Sequence, residues 1–413
     1  MAPRSSKSKK RPDPFRVATL SGIEGDKNHH LTGPFLPQTP LGGASPTQSR
    51  STSPTVSRAS AAHAANRSAL IRWVVQPALA FKLLLLPLLL WVNWMLVAPY
   101  LNPGVGNPFS VFIISGHIPT SSPSDPLYRK TWWDLPFIAY YIVVFSFIRE
   151  SLSSKVSRPL AKYFGIRNEN KIDRFAEQMY ALVYFTVFGA WGYRVMAQLP
   201  SYWYNTSAFW DAYPSWAIKP ELKAYYLIQF AYWWQQLLVL ILGLEKPRKD
   251  YLELVAHHFV TLWLIGWSYI TNHTLIGNAV YMSMDIPDAF LALSKLLNYI
   301  QWNTAKTYAF GVFFLIWTYF RHYLNIWILW SVWFESSDIP EWTKKWSWSE
   351  GVYMPAWMPY QIFVPLLLLQ GLNLFWYSLM TKILIRGIMT SEVDDHRSDD
   401  EGGDEDEHDR KED

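Results

Sequence analysis

The sequence predicts an all-α fold: a polytopic membrane bundle of about eight transmembrane helices between disordered termini. Three observations carry that prediction. Half of the 413 residues are hydrophobic, and they gather into eight apolar runs. The chain holds 23 Trp, and Trp and Tyr collect where an apolar ring meets a wet boundary, as at bilayer surfaces. Lys and Arg flank the apolar runs instead of forming one patch, which is a membrane-topology pattern and not a nucleic-acid profile. Cysteine is absent, so disulfides, thiolate metal sites and a cysteine nucleophile are excluded.

In chain order, residues 1–70 are rich in Ser, Thr, Pro and basic residues, with only Asp13, Glu24 and Asp26 acidic. Such a segment cannot bury a core and is expected to be disordered. It lacks the apolar core and small-residue cleavage site of a secretory signal, so it reads as uncleaved. Residues 71–131 hold the first span and a loop, residues 132–388 hold the remaining spans, and residues 389–413 form a tail. The apolar runs are 75–98, 132–148, 175–195, 224–243, 252–270, 275–299, 307–333 and 357–385. Each approaches or exceeds the ~20 residues a helix needs to cross a bilayer core. In hydrocarbon the backbone must pair within its own segment, which leaves the helix as the expected form. Pro87, Pro136, Pro287 and Pro365 are expected to bend their helices.

Loop charge sets the orientation. Residues 149–174 hold seven Lys/Arg, and 245–250 hold Lys246, Arg248 and Lys249, whereas the alternate loops are poor in them. The excess places both termini in the cytosol, in agreement with an even number of spans. The sequons at Asn205 and Asn272 then face the lumen, the second too close to the membrane to be a good acceptor. From Ser391 onward thirteen acidic and three basic residues give a balance of −10, so the rest carries +14. This tail reads as solvated, with Ser398 placed for an acidophilic kinase.

Residues 252–300 concentrate the chemistry. Two apolar segments meet at a short polar turn, 271–274; the first carries His257 and His258, the second Asp285 and Asp288. Titratable groups inside membrane spans are expensive and mark functional sites. Neighbouring helix residues point about 100° apart, so the two imidazoles face different ways, whereas Asp285 and Asp288, three apart, share a face. At ~1.5 Å per residue, His257 lies about 8 Å and Asp288 about 17 Å below the cytosolic edge. Pro287 frees a carbonyl near Ser283. An imidazole takes a proton or attacks as a nucleophile, and a carboxylate orients it and stabilises its charged form.

A metal centre is the first rival reading. The spans and turns hold only His257, His258, His273 and His322, with no HxxxH or HxxHH boxes, and adjacent histidines diverge and rarely share an ion; a His/Asp zinc site is weakly supported, and no metal site is assigned. A proton- or lipid-coupled transporter using the His/Asp cluster is the second, weakened by the lack of an inverted repeat.

The runs HHFVTLWLIGWSYI and MSMDIPDAFLALSKLLNY resemble the signature of the ceramide synthase family among the TLC-domain proteins. FRHYLNIWILWSV and the acidic, Ser-containing tail look like its fungal branch, and the homeodomain-like insert of many animal members is absent. The resemblance covers residues 128–410. It implies a TLC-type catalytic domain over 132–388 and an endoplasmic-reticulum N-acyltransferase. Such an enzyme joins the acyl group of a long- or very-long-chain acyl-CoA to the amine of a sphingoid base, giving dihydro- or phytoceramide and CoA. It further implies that His257 and His258 are the catalytic pair, that Asp285 and Asp288 are essential, and that an acyl-imidazole forms, with His257 the preferred carrier; direct transfer with a histidine as general base is the alternative. No cofactor is implied, because acyl-CoA is a substrate. A small single-span accessory subunit is implied as partner, with membrane lipids around the bundle, no nucleic acid, and homodimer and monomer both open.

Arg321, His322, Asn298 and Lys249 are put forward for substrate binding. Lys246, Arg248, Lys249 and Lys306 lie at the cytosolic mouth, where polyanionic CoA would sit, although topology charge explains them equally well. Arg321 has three open roles: meeting a carboxylate such as Asp285, binding substrate, or forming a structural ion pair. Chain-length preference and the choice between dihydrosphingosine and phytosphingosine are not encoded in any local motif.

Overall fold

The computed structural model describes residues 71–101, 106–245 and 249–390. The N-terminal segment 1–70, the acidic tail with Ser398, and Lys246 and Arg248 fall outside the described residues. Each of the eight apolar runs is helical. In order the helices are α1 (Pro77–Leu101), α2 (Asp134–Leu152), short α3 (Arg158–Tyr163), α4 (Glu169–Met196), short α5 (Ser207–Asp211), α6 (Pro220–Ile241), α7 (Tyr251–Ile270), α8 (Thr274–Tyr299), α9 (Asn303–Trp317), α10 (Asn325–Phe334) and α11 (Met358–Thr390). Three stretches, Pro77–Tyr100, Asp134–Tyr163 and Met358–Met389, are long and apolar enough to cross a membrane by length and composition. The others carry buried polar side chains that lower their mean hydropathy but face the bundle interior.

Helix ends follow the local chemistry. Asn168 caps α4, its side chain accepting from the backbone N–H groups of Asn170 and Lys171. Pro220 opens α6, where its missing N–H is not needed. Pro87, Pro287 and Pro365 lie inside helices that continue through them. Two five-residue-period turns interrupt the regular pattern: π turns at Ser153–Ser157, between α2 and α3, and at Thr318–Leu324, between α9 and α10.

α8 occupies the middle of the bundle, packed along α4 on one flank and α9 on another, with α7 antiparallel beside it. α6 and α11 flank α7, and α2 leans on α6 and carries α1 on its outside. One core cluster joins these elements through Phe145, Tyr184, Tyr225, Leu227, Met282 and Ile328. α1 buries almost nothing, and Leu86, Leu89 and Leu96 point outward as lipid-facing residues do.

The end of the bundle that holds the α7–α8 turn is tied together by polar bonds. Lys223 is fully buried, pairs with Asp134 at 2.8 Å, and donates to the carbonyls of Ser115 and Arg129 at 2.7 and 2.8 Å. Tyr269 donates to the same Asp134 at 2.8 Å. Lys130 caps the end of α7 on the carbonyls of Tyr269 and Ile270 at 2.7 and 2.8 Å. Burial lowers the Lys130 ammonium to about 7 despite the nearby Asp134 carboxylate. A two-stranded ribbon, β1 (Trp346–Ser347) with β2 (Val352–Tyr353), leans on the same turn: the Asn272 amide donates to the Gly351 carbonyl at 2.8 Å. Gly351 has φ +66, and a Cβ there would meet Trp216, so glycine is required twice over. Asn272 is 3% exposed, which closes its sequon, whereas Asn205 stands at the surface.

Candidate active site

α7 presents its two histidines differently, as helix geometry demands. His258 Nδ1 donates to the Leu254 carbonyl one turn earlier at 2.7 Å, which fixes the ring against its own helix. His257 is enclosed edge-on by Trp233 of α6 and Trp376 of α11, each with its ring centre 5.5 Å away. Its Nδ1 is buried with no hydrogen-bond partner among the described residues.

Two cavities meet at this ring. One, about 230 Å³, lies toward the N-terminal end of α7 and is lined by His257, His258, Asp288, Arg321, Lys295 and Asp250, among others. The other is narrower, about 50 Å³, and runs toward the α7–α8 turn past Thr261, Asp285, Tyr281 and Gly277 to His273. Trp233 and His257 alone line both.

The carboxylates divide between the cavities. Asp285 is fully enclosed and faces the narrow one; Gln229 of α6 donates to its Oδ2, and its Oδ1 has no partner among the described residues. Gln229 accepts from the Tyr184 hydroxyl and donates to the Tyr225 hydroxyl at 3.1 Å, so the amide is fixed on both sides. Asp288 faces the larger cavity and pairs with Arg321 at 2.7 Å. The π turn carries Arg321 inward, as such turns do at functional sites. Its guanidinium also donates to the Met284 carbonyl at 2.9 Å and lies 3.9 Å from the centre of the Trp317 ring. That carbonyl neighbours the one that Pro287 leaves without its helical donor.

Of the three roles open for Arg321, the structure shows the carboxylate pairing, and the partner is Asp288; Asp285 accepts from Gln229 instead. One expectation changes here. The shared face of Asp285 and Asp288 is split by the wall that His257 and Trp233 form.

The comparisons with known proteins fit this centre. The family model described as the TLC domain matches residues 174–382. Sphingosine N-acyltransferase lac1 of Schizosaccharomyces pombe is 41% identical, over 80% of this chain and 81% of its own length. Ceramide synthase LAG1 of Saccharomyces cerevisiae is 38% identical, over 72% of this chain and 71% of its own. The chain belongs to the ceramide synthase family of TLC-domain proteins.

In this TLC-domain protein the matched region takes in every residue that lines either cavity, and it leaves α1 and α2 outside. Of the substrate-binding candidates, Arg321 lines one of these two cavities, and His322, Asn298 and Lys249 line neither. His322 turns the other way: its Nδ1 meets the Gln370 amide at 2.8 Å and its ring stands edge-on to Tyr377. Asn298 accepts from Lys306 at 3.0 Å, joining the end of α8 to the start of α9. Lys249 is exposed on the turn before α7, beside the cavity-lining Asp250. Among the described residues no three His, Asp or Glu side chains converge as metal ligands do.

Gln229, Trp233, Trp376 and Asp250 were not singled out from the sequence. A signal existed for Gln229, a polar residue in an apolar run. Trp376 carries none, since its role comes from the Asp250 carboxylate that its indole N–H reaches at 2.9 Å. His273, in the turn outside the spans, is 3% exposed, and burial pushes its imidazole down to about 3.

Proposed function

We propose that this protein is an acyl-CoA-dependent sphingoid-base N-acyltransferase that works through an acyl-imidazole on His257. The observation that carries this reading is the place of His257 at the junction of two cavities, with Asp288 lining one and Asp285 the other. An acyl-transfer centre needs a polar side for CoA and the amine, and a dry, chain-wide side for the acyl group.

In the proposed first step an imidazole nitrogen of His257 attacks the thioester carbonyl, the C–S bond breaks, and CoA leaves as thiolate, taking up the imidazole proton. The sphingoid amine then attacks the acyl-imidazole. The new C–N bond forms, the bond to imidazole breaks, and the amine proton, relayed by His258 or a cavity carboxylate, returns to the departing His257 imidazole. Asp250, open to the larger cavity, suits the ammonium of the incoming base, and the Asp288–Arg321 pair holds that wall. Enclosure protects the acyl-imidazole from water. An extended single chain is the lipid group slim enough for the narrow cavity, once flexible side chains such as Met284 and Leu264 give way.

The same reading places the protein in the endoplasmic-reticulum membrane with eight spans and both termini in the cytosol. That puts the Asp250 end of the bundle at the cytosolic face and the α7–α8 turn at the lumen. A single-span accessory subunit, a second copy, phosphate on Ser398 and glycan on Asn205 belong to it as further proposals.

The experiment is ceramide formation by purified protein given acyl-CoA and a sphingoid base. Wild type forms the amide, and mass spectrometry of the enzyme stalled without base finds an acyl adduct on the peptide containing His257. His257→Ala keeps its fold and loses at least a thousandfold in rate; full activity in that variant would sink the covalent route. Flux across sealed vesicles without amide product would instead support transport.

A further inference from the structure

The floor of the narrow cavity is not apolar. His273 closes it, stacked on Tyr213 with ring centres 4.9 Å apart. Thr271 Oγ1 donates its own proton to the Trp267 carbonyl at 2.7 Å, so toward His273 Nδ1, 2.9 Å away, it acts as acceptor. Nδ1 therefore carries the ring proton, and Nε2 is left with a lone pair. That Nε2 is buried and has no hydrogen-bond partner among the described residues. Burial keeps this ring neutral, so it stays an acceptor at physiological pH.

An acceptor aimed into a dry passage without a donor is costly. Water is a poor occupant, since a buried water wants two to four polar partners. Beside Ile276 and Gly277 the lining here includes Tyr226, Ser268 and Trp267, and their polar groups are already committed: the Ser268 hydroxyl donates to the Ile265 carbonyl and accepts from the Tyr226 hydroxyl, and the Trp267 indole N–H is taken by Met358. A hydroxyl carried on a chain needs only one acceptor. The thirteen helical positions from His257 to Ile270, where α7 ends just short of His273, correspond to about 20 Å along the helix axis, a long-chain and not a medium-chain distance.

We propose that the floor of this cavity is a hydroxyl-recognition subsite, in which His273 Nε2 accepts the hydrogen of a hydroxyl at the far end of a long aliphatic chain whose other end reacts at His257. This rests on the acyltransferase reading and adds a substrate class to it: ω-hydroxylated chains of matching length. The same chemistry is available on the acyl group or on the sphingoid base, and the test separates the two.

Full-length wild type and His273→Phe, which keeps the ring and removes the acceptor, are each given paired substrates in competition. One arm sets ω-hydroxyeicosanoyl-CoA against eicosanoyl-CoA with sphinganine as acceptor. The other sets ω-hydroxysphinganine against sphinganine with eicosanoyl-CoA as donor. Wild type is expected to favour the hydroxylated substrate about tenfold in kcat/KM in one arm, which identifies the chain that occupies the cavity. His273→Phe is expected to abolish that preference while transferring dodecanoyl, too short to reach the floor, at the wild-type rate. Equal use of both substrates in both arms by wild type overturns the proposal, as does a preference that survives in His273→Phe. If His273→Phe fails with dodecanoyl-CoA as well, Thr271→Val decides: it retains the imidazole but releases its tautomer, and an undiminished preference overturns the proposal. No amide at all from wild type and eicosanoyl-CoA sinks the acyltransferase reading itself.

Discussion

Arg321 shows how one buried charge is held in a membrane bundle. Its side chain is 4% exposed and is surrounded by the Asp288 carboxylate, the Met284 carbonyl and the Trp317 face. Removing one partner of such a pair leaves the other uncompensated, at about 3–5 kcal/mol when fully buried; the 19% exposure of Asp288 moves the expectation to the lower end. Arg321→Ala is therefore expected to lower the thermal midpoint sharply, and the double variant Arg321→Ala/Asp288→Ala to recover part of the loss. Equal midpoints for Arg321→Ala and wild type would show that the pair contributes nothing. His273 adds a pH dependence of known sign. Its folded-state value of about 3 lies below the ordinary 6.5, so between them the unfolded chain binds the proton and the folded chain does not. Its stabilising contribution is complete above about pH 6.5 and is lost as pH falls toward 3. Thermal midpoints of wild type minus His273→Phe, measured from neutral to acid, should narrow steadily; a constant difference would contradict this.

Among the elements, α8 sets the geometry of both cavities, and Gly277 sets its approach to α6. A Cβ at Gly277 would stand 1.9 Å from the Tyr226 hydroxyl, a distance no side chain tolerates. Gly277→Val is expected to push α6 and α8 apart, costing about 1–3 kcal/mol as overpacking does. It should also cut acyl transfer more for long chains than for short ones, because Gly277 lines the narrow cavity. An unchanged chain-length profile would place the chain elsewhere. The π turn Thr318–Leu324 is the other decisive element, since it carries Arg321 across to Asp288. Nothing in TYFRHYL announces it. The residues are ordinary helix formers, and the wider turn is selected by the partners it reaches.

At the scale of the whole molecule, the helices and the central pair of segments were legible in the sequence, because hydrophobic runs of membrane length leave the backbone one choice. The cluster of His257, His258, Asp285 and Asp288 was legible for the same reason, since charge in such a run is conspicuous. Which carboxylate meets Arg321, and the wall between the cavities, were not. They depend on Gln229, Trp233 and Trp376, which approach from helices distant in sequence, and only packing decides which of them arrives first. The bonds that close the turn end were equally hidden, because nothing in the sequence pairs Lys223 with Asp134, eighty-nine residues away. Lys223→Met is expected to leave the Asp134 carboxylate without its cation and to loosen the loop 106–131, seen as faster hydrogen exchange at Ser115 and Arg129; unchanged protection there would show that the carbonyl bonds are dispensable.

The same ion pair imposes an order on biogenesis. Asp134 leaves the ribosome with α2, and its counter-charge follows eighty-nine residues later at the start of α6. Until then the carboxylate lacks the Lys223 ammonium, so a nascent chain that stops before α6 exposes a charge that the finished protein buries.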